Sequence, residues 1–254
     1  MEYVALGKSN LLVSRTAFGA MRLEKVKDRD TALGMIKTAY DAGVNFFDTS
    51  TATPESERIL GEGIASFREN VIIGTKSQAY SSEMISEDID KSLRNLNVDY
   101  IDLYQIEKST FLPDADGDDG VVEKLLNLKK AGVIRHFGVT TESIEVALSV
   151  LTSDVGWETV QFPFNILSSG ETESLPHEYA ESNVGFIAMR PLCGGLIDNV
   201  PLAIGYLRQF ENIVPVWGVQ NPEELNQILY FTQNPPEVDE KFLEECRIKR
   251  QFYN

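Results

Sequence analysis

The chain has 254 residues, of which 43% are hydrophobic and 24% charged, as in a globular protein with a sizeable core. Its formal net charge is −16, and such a field repels phosphates, so we expect neither nucleic acid nor a membrane as a partner. The first residues do not resemble a secretory leader and no apolar run approaches ~18 residues, which predicts a cytoplasmic protein.

The elements predicted first are a short hairpin over residues 3 to 16 and a strand at 16–20. Strands and helices then alternate. Further strands are predicted at 45–48, 71–75, 100–106, 136–140, 159–162, 185–189 and 213–216. Helices are predicted at 31–42, 55–67, 82–96, 120–131, 143–151, 174–182, 201–209 and 222–231, with a last helix within 235–254. The pattern predicts an α/β fold, a single (β/α)8 TIM barrel over residues 1–254 with a short N-terminal β-hairpin and a C-terminal helical extension.

The competing α/β architecture is a doubly wound open sheet that binds a dinucleotide. Such a sheet carries a Gly-x-Gly-x-x-Gly motif directly after its first strand. The chain has Gly19-Ala20-Met21-Arg22 at that point, and Gly61-Glu62-Gly63 falls inside a predicted helix. The missing motif favours the barrel.

Polar side chains follow the predicted strands, at the end of a barrel where active sites form. Asp48 and Lys76 come from neighbouring strands and can form an ion pair, and Glu107 lies one strand further on. Such a cluster fits a site that tunes proton transfer, and it equally fits a partly buried structural salt bridge. The spacing leaves both interpretations open. The other polar residues at strand ends are Arg22, Gln105, Thr140, Thr141, Gln161 and Arg190.

Residues that could bind a metal are few. Cys193 and Cys246 form no Cys-x-x-Cys pair, and His136 and His177 lie far apart, so we expect no metal site. We expect Cys193 to be a packing residue and both histidines to be structural or solvated. Cysteines without a pairing motif fit a reducing compartment.

Several segments resemble the aldo/keto reductase family. Phe47-Asp48-Thr49-Ser50, followed by Ser56-Glu57-Arg58-Ile59-Leu60-Gly61, is similar to the family signature F-D-T-A-x-x-Y-G-x-S-E-x-x-L-G. Gly74-Thr75-Lys76 is similar to the family's third-strand lysine motif. Further similar segments follow in order at 98–106, 134–140, 160–165 and 185–195. The last two look most like a bacterial branch whose members often carry a C-terminal iron–sulfur tail, but Cys246 alone cannot ligate a cluster, so none is expected.

The resemblance implies an enzyme that moves hydride from NADPH or NADH to a carbonyl, using an Asp, a Tyr, a Lys and a His. Asp48 and Lys76 match two of these four residues. Thr53 stands at the position of the tyrosine and Glu107 at that of the histidine. A threonine hydroxyl is far less acidic than a phenol, whose pKa is ~10, so the site departs from ordinary aldehyde reduction.

Other residues could supply the missing proton donor. Glu107, if protonated, could donate a proton or polarise a carbonyl, and family members that reduce conjugated C=C bonds resemble the chain in having Glu there. Tyr80 on a loop and Tyr104 within a strand are alternative phenols, although Tyr104 is more simply a packing residue of the barrel.

The resemblance also implies a cofactor site. Thr140, Thr141 and Gln161 match the Ser, Asn and Gln that hold the carboxamide, and Arg190 is a candidate partner of the pyrophosphate. Glu224 stands about where members that prefer NADPH have Arg, so repulsion of a 2′-phosphate favours NADH. The full set of expected cofactor-binding residues is Gly19, Ala20, Met21, Thr140, Thr141, Gln161, Arg190, Leu192, Gly218, Asn221 and Glu224.

Three functions remain open at this stage. The first is an oxidoreductase with altered acid–base residues that acts on a small carbonyl or enone. The second is a catalytically silent barrel that binds a ligand or a partner. The third is lyase or isomerase chemistry built on Asp48, Lys76 and Glu107, because a fold alone does not determine function. We expect a small-molecule substrate and a monomer or homodimer.

Overall fold

The computed structural model describes residues 1–108, 110–115 and 117–253, and it begins with an antiparallel hairpin of β1 (Tyr3–Ala5) and β2 (Leu12–Ser14). Gly7 in the hairpin turn has a φ of +54°, and a Cβ there would lie 2.2 Å from the Gly185 backbone nitrogen. Leu6, which is 1% exposed, packs against Phe46 and other side chains inside the barrel. The hairpin therefore contributes to the inner core, and glycine permits its close approach.

Eight parallel strands close the barrel in the order β10-β3-β4-β5-β6-β7-β8-β9. These strands are β3 (Ala17–Gly19), β4 (Phe46–Asp48), β5 (Ile72–Ser77), β6 (Ile101–Glu107), β7 (Ile134–Thr140), β8 (Thr159–Pro163), β9 (Gly185–Met189) and β10 (Ile213–Gly218). Each strand is followed by helical structure, as a (β/α)8 barrel requires. The predicted fold class, the N-terminal hairpin and the C-terminal helix are confirmed.

Nine α-helices lie within the described residues. They are α1 (Arg29–Asp41), α2 (Pro54–Ile64), α3 (Ser82–Leu96), α4 (Val121–Lys130), α5 (Ile144–Thr152), α6 (Glu171–Glu181), α7 (Val200–Leu207), α8 (Pro222–Gln233) and α9 (Glu240–Tyr253). Amphipathic spacing explains them, as in α3, where Ile85, Ile89 and Leu96 are buried. None of these helices is long and apolar enough to span a bilayer.

Several boundaries differ from the sequence prediction. Helix α6 begins at Glu171 instead of 174, directly after Gly170, whose φ is +59°. Strand β7 begins at Ile134 instead of 136. A short 3-10 helix, Ala20–Lys25, follows β3 and was not predicted. The helix turns the chain across the carboxyl end of β3, so its Met21, Arg22 and Lys25 side chains form one wall of the barrel mouth.

The strand register decides which side chains meet at the carboxyl end of the barrel. Leu103 packs with the inner cluster, whereas Tyr104 and Ile106 pack with the outer cluster beneath the helices. Period-two alternation therefore directs Gln105 and Glu107 to the inner face with Leu103. This alternation separates the residues that can reach a bound ligand from those that only support the strand.

Candidate active site

A buried ion pair lies at the carboxyl end of β4. Lys76 Nζ donates to Asp48 Oδ2 at 2.7 Å and to the Thr49 carbonyl oxygen at 2.7 Å. Lys76 and Asp48 are only 4% and 2% exposed. The two side chains meet, as their positions on neighbouring strands predicted. The low dielectric around them strengthens their attraction.

Thr53 lies in the loop between β4 and α2, where the family signature places its tyrosine. It is the N-cap residue of α2, and its hydroxyl donates to the Ser50 carbonyl oxygen at 3.2 Å. The loop is tied to β5, because the Thr51 backbone N–H donates to the Lys76 carbonyl oxygen at 3.0 Å. Thr53 is thus held in place on the wall of the same cavity as the ion pair, but its side chain is an alcohol where the family has a phenol.

Neither candidate tyrosine brings a phenol into this site. Tyr104 is fully buried on the outer face of β6 and donates to Ser77 Oγ at 2.8 Å, and burial raises the pKa of Tyr104 far above its ordinary value. Tyr80 is 66% exposed and does not line the cavity at the barrel mouth. The interpretation of Tyr104 as a packing residue is confirmed.

Among the described residues, Glu107 is the carboxyl group of the cavity that keeps both oxygens available for a ligand. It is half-buried at the end of β6 and faces the cavity, and its backbone pairs with Thr140. Within the described residues, its carboxylate forms no hydrogen bond or ion pair. Asp48, by contrast, is already committed to Lys76.

A chain of buried amides connects β6 to the ion pair. Gln105 Nε2 donates to Gln161 Oε1 at 2.7 Å, and Gln161 Nε2 lies 3.4 Å from Asp48 Oδ2. Gln105 and Gln161 are 0% and 2% exposed. The sequence marked both as strand-end residues but assigned a role to Gln161 alone.

The cavity at the barrel mouth has a volume of about 580 Å³, within the range of small-molecule sites. Most of the expected site residues line it, but Ala20, the first residue of the 3-10 helix after β3, does not, because its side chain is fully buried in the core. The expected residues on its wall are Gly19, Met21, Asp48, Thr53, Lys76, Glu107, Thr140, Thr141, Gln161, Arg190 and Gly218.

A groove of about 350 Å³ adjoins the cavity and shares Arg22, Arg190 and Gly218 with it. Leu192 and Glu224 line this groove. The cavity and the groove together form an elongated site, which suits an extended ligand that places one part in each of them.

Glu224 is held in place at the start of α8. Its carboxylate accepts hydrogen bonds from the Gln220 backbone N–H and from Asn221 Nδ2, each at 2.9 Å. Asn221 in turn is the N-cap and accepts a hydrogen bond from the Glu224 backbone N–H at 2.8 Å. This reciprocal arrangement is a variant of the capping box, in which Glu224 accepts from the backbone N–H of Gln220 instead of that of Asn221. Asn221 shapes the end of the groove without lining it.

Arg190 forms an ion pair with Glu142 across the cavity mouth. The two residues follow β9 and β7, so their contact passes over the end of β8. Arg190 has a φ of +56°, an uncommon backbone conformation for a residue with a side chain. Both side chains are more than half exposed, so solvent weakens this attraction and Arg190 can exchange partners.

Sequence reasoning assigned no role to three cations that line the cavity, Arg22, Lys25 and Lys108. Arg22 lies on the 3-10 helix after β3, borders both cavity and groove, and has no ion-pair partner in the described ranges. Lys108 is 7% exposed and donates to the Ala79 carbonyl oxygen at 2.6 Å, and burial lowers its pKa. The strand-end position of Arg22 was visible in the sequence, whereas the burial of Lys108 was not.

The cysteines and histidines lie away from the cavity wall. His136 Nδ1 is 2.8 Å from Glu158 Oε1, a structural contact near the amino end of the barrel. Cys246 is buried in α9, and burial raises its pKa to about 11. Across the described part of the chain, no three His, Cys, Asp or Glu side chains converge as metal ligands do.

The residues of the cavity fit the nicotinamide end of a dinucleotide. Thr140 is 3% exposed, and its Oγ1 has no hydrogen-bond partner among the described residues, so this hydroxyl is available to a carboxamide. Gln161 presents an amide beside it, and Arg22 and Arg190 border the passage into the groove. Donors and acceptors of this kind match a carboxamide at one end and a pyrophosphate further along.

Comparisons with known proteins agree with this picture. The model of the Aldo/keto reductase family matches residues 15–202. The uncharacterized oxidoreductase YqkF of Bacillus subtilis is 30% identical over 212 residues, which cover 78% of this chain and 67% of that protein. The L-galactose dehydrogenase of Arabidopsis thaliana is 30% identical over 217 residues, with the same coverage of 78% and 67%. The chain thus spans about two thirds of the length of these curated relatives.

Solved structures match the fold over nearly the whole chain. The holo form of the aldo-keto reductase AKR11C1 from Bacillus halodurans superposes with a TM-score of 0.84 at 21% identity. The match covers 98% of this chain and 96% of that one. At this level of identity, the likeness establishes the shared barrel.

Proposed function

Because the chain belongs to the aldo/keto reductase family, we propose that it is an oxidoreductase that transfers hydride between a nicotinamide dinucleotide and a small carbonyl compound or enone. One observation carries this proposal: the buried Lys76–Asp48 ion pair lies on the wall of a cavity that also contains the Thr140 hydroxyl and the Gln161 amide. These groups suit a nicotinamide ring and a polar substrate side by side.

The cofactor, when bound, supplies the hydride, and the protein supplies position and charge. Thr140 and Gln161 hold the carboxamide through their hydroxyl and amide groups. Arg22 and Arg190 bind the pyrophosphate, and Arg190 leaves Glu142 to do so. The backbone at Gly218, where a Cβ would meet only the Arg22 side chain at 4.0 Å, allows close approach of the ligand because this residue has no side chain. Gly19 pairs with it in register and lets the two strands pack closely.

Glu107 is the proton carrier in this proposal. Lys76 already donates to two oxygens, and Thr53 is a weak acid whose hydroxyl donates to a backbone carbonyl. Glu107 carries a carboxyl group with no hydrogen-bond partner among the described residues, and such a group can hold a proton at one oxygen and pass it to the substrate. A carboxylate also accepts a proton, so the same residue serves alcohol oxidation in the reverse direction.

We further propose that NADH is preferred over NADPH. The capping box fixes the Glu224 carboxylate at the groove, where it repels the 2′-phosphate that distinguishes NADPH. Arg22 and Arg190 line the groove where it meets the cavity. There they bind the pyrophosphate, which NADH and NADPH share.

The first test is cofactor binding measured by fluorescence. Trp217 lines the groove, whereas Trp157, the other tryptophan of the chain, packs against Phe137 near the start of β8. NADH is therefore expected to quench Trp217 and to gain emission by energy transfer, and a Trp157→Phe variant isolates this signal. Micromolar affinity would support the proposal and justify a screen of carbonyls and enones. If neither dinucleotide binds at millimolar concentration, the oxidoreductase proposal fails and a ligand- or partner-binding barrel becomes the better hypothesis.

A further inference from the structure

Gln105 lies behind the cofactor-facing Gln161 and cannot itself contact a ligand. It is 0% exposed on the inner face of β6 and does not line the cavity. Its side-chain nitrogen donates to Gln161 Oε1 at 2.7 Å. Its own carbonyl oxygen, Oε1, is buried and has no partner among the described residues.

The carboxylate of Asp48 determines how these two amides are oriented. An ionised carboxylate accepts hydrogen bonds but donates none, so Gln161 must direct its NH2 group toward Asp48. The oxygen of the Gln161 amide then points to Gln105, which must donate a hydrogen bond to it from its own NH2 group. The orientation of both amides therefore follows from the charge on Asp48.

This arrangement is costly for folding alone. A buried carbonyl without a partner destabilises a protein, and an apolar side chain at residue 105 would avoid that cost at the expense of the hydrogen bond to Gln161. Leu103, two residues earlier on the same face, shows that this face accepts leucine. The polar side chain at 105 is thus better explained by what it does to Gln161.

We propose that Gln105 is a positioning residue that fixes the orientation of the Gln161 amide and so sets how the nicotinamide carboxamide is held. The inference rests on the proposed function. Gln105 acts from one side of Gln161 and Asp48 from the other, and Asp48 also holds Lys76. The chain of hydrogen bonds thereby connects the residue that binds the carboxamide, Gln161, to the Lys76–Asp48 ion pair beside the substrate.

The experiment compares binding of NADH with binding of ADP-ribose, which lacks the nicotinamide ring, by calorimetry. In Gln105→Leu the Kd for NADH is expected to rise about tenfold, because Gln161 loses its support, while the Kd for ADP-ribose stays the same. Gln161→Leu should raise the Kd for NADH at least as much. The double variant should be no worse than Gln161→Leu, because the two residues act as one unit.

Tyr104→Phe is the matched control, since Tyr104 is the neighbouring residue on the opposite face of β6 and its hydroxyl bonds Ser77. It should leave both dissociation constants unchanged. Thermal unfolding should show that Gln105→Leu changes stability little, because the variant removes the orphan carbonyl at residue 105 and leaves another at Gln161 Oε1.

The possible results separate this inference from the proposed function. If the wild type does not bind NADH, both fail. If the wild type binds NADH and Gln105→Leu binds it equally well, only the positioning role is overturned. Equal weakening of NADH and ADP-ribose, or additive losses in the double variant, would also overturn it, because either result indicates general damage to the site.

Discussion

Lys76 Nζ lies 2.7 Å from Asp48 Oδ2, and both side chains are almost completely removed from solvent. In this setting each charge is stabilised mainly by the other, since water cannot replace a lost partner. The pair therefore has a role in folding as well as in the proposed chemistry, and the two roles can be measured separately.

Removal of one partner should destabilise the protein strongly. Lys76→Met leaves Asp48 as an uncompensated buried charge, and we expect a loss of about 3–5 kcal/mol in the free energy of unfolding. Adding Asp48→Asn to that variant should recover part of the loss. Denaturant titration gives both values. Lys37→Met is the control, because the Lys37–Asp41 pair is more than half exposed, and it should change little. A Lys76→Met variant as stable as wild type would show that the pair is not strongly coupled.

The family's tyrosine and histidine should restore carbonyl reduction if hydride transfer is otherwise intact. Thr53→Tyr combined with Glu107→His brings a phenol and an imidazole to the cavity that holds Lys76. The ammonium favours the phenolate, so it lowers the phenol pKa toward neutrality. We expect the double variant to oxidise NADH with simple aldehydes at a rate about a hundredfold above the wild type, the lower end of what general acid catalysis contributes.

The matched control for this variant is Thr53→Phe with Glu107→His, which adds the same ring without its hydroxyl. Because it lacks both the phenol and the Glu107 carboxyl group, it should not exceed the wild-type rate. A double variant that folds and binds NADH but gains no activity would indicate that the substrate pocket, and not proton donation alone, differs from that of the reductases.

The fold and the strand-end residues could be predicted because they depend on local sequence. Alternating apolar strands and amphipathic helices predicted the barrel, and the acid that ends β4 and the lysine within β5 followed from strand order. The capping box at Asn221 and Glu224 is also a local pattern, visible as Asn, two residues and Glu at the start of a helix. Each of these features is determined by residues close together in the chain.

Other features depend on contacts between distant strands. The link from Gln105 to Gln161 joins residues 56 positions apart, and its direction depends on the charge of Asp48. The ion pair between Arg190 and Glu142 joins residues 48 positions apart and accompanies a left-handed backbone at Arg190. No local pattern encodes such contacts, so the sequence predicted which residues surround the cavity better than what they bind.

Neutralising Glu224 should reduce discrimination against NADPH. Glu224→Gln keeps an oxygen that can accept from the Gln220 N–H, so helix α8 stays capped while the negative charge is lost. We expect the Kd for NADPH to fall several-fold at low salt, and the gain to shrink above ~0.1 M salt, where charges are screened. Glu223→Gln removes the same charge one residue earlier, outside the groove lining, and should have a smaller effect. An unchanged NADPH to NADH ratio would contradict the role given to Glu224.

Two glycines in helices should respond oppositely to alanine. At Gly61 in α2, a Cβ would lie 2.2 Å from the Leu96 carbonyl oxygen, so Gly61→Ala must separate α2 from α3 and destabilise the protein by about 1–3 kcal/mol. At Gly34 in α1, a Cβ would meet nothing within 4 Å. Gly34→Ala should therefore stabilise by about 1 kcal/mol through helix propensity. Thermal unfolding distinguishes the two, and equal effects would refute this explanation.

Two buried carboxyl groups should give opposite pH dependence of stability. Desolvation raises the pKa of Glu57, despite hydrogen bonds from Asn95, Ser92 and Thr75. Glu158 is also desolvated, but hydrogen bonds from His136, Lys129 and the Phe137 N–H outweigh burial and lower its pKa. Folding therefore favours the protonated form of Glu57 and the ionised form of Glu158.

The sign of each effect follows from proton binding. Native Glu57 binds protons more tightly than the unfolded chain, so its contribution falls as pH rises above the unfolded pKa of about 4.5. Native Glu158 binds them less tightly, so its contribution is present above that value and is lost on acidification. Measured between pH ~3 and ~8 and relative to wild type, Glu57→Gln should gain stability as the pH rises above about 4.5, whereas Glu158→Gln should lose stability as the pH rises toward about 4.5. Urea unfolding across this range measures both slopes, and slopes of the same sign would disprove the assignment of the two groups.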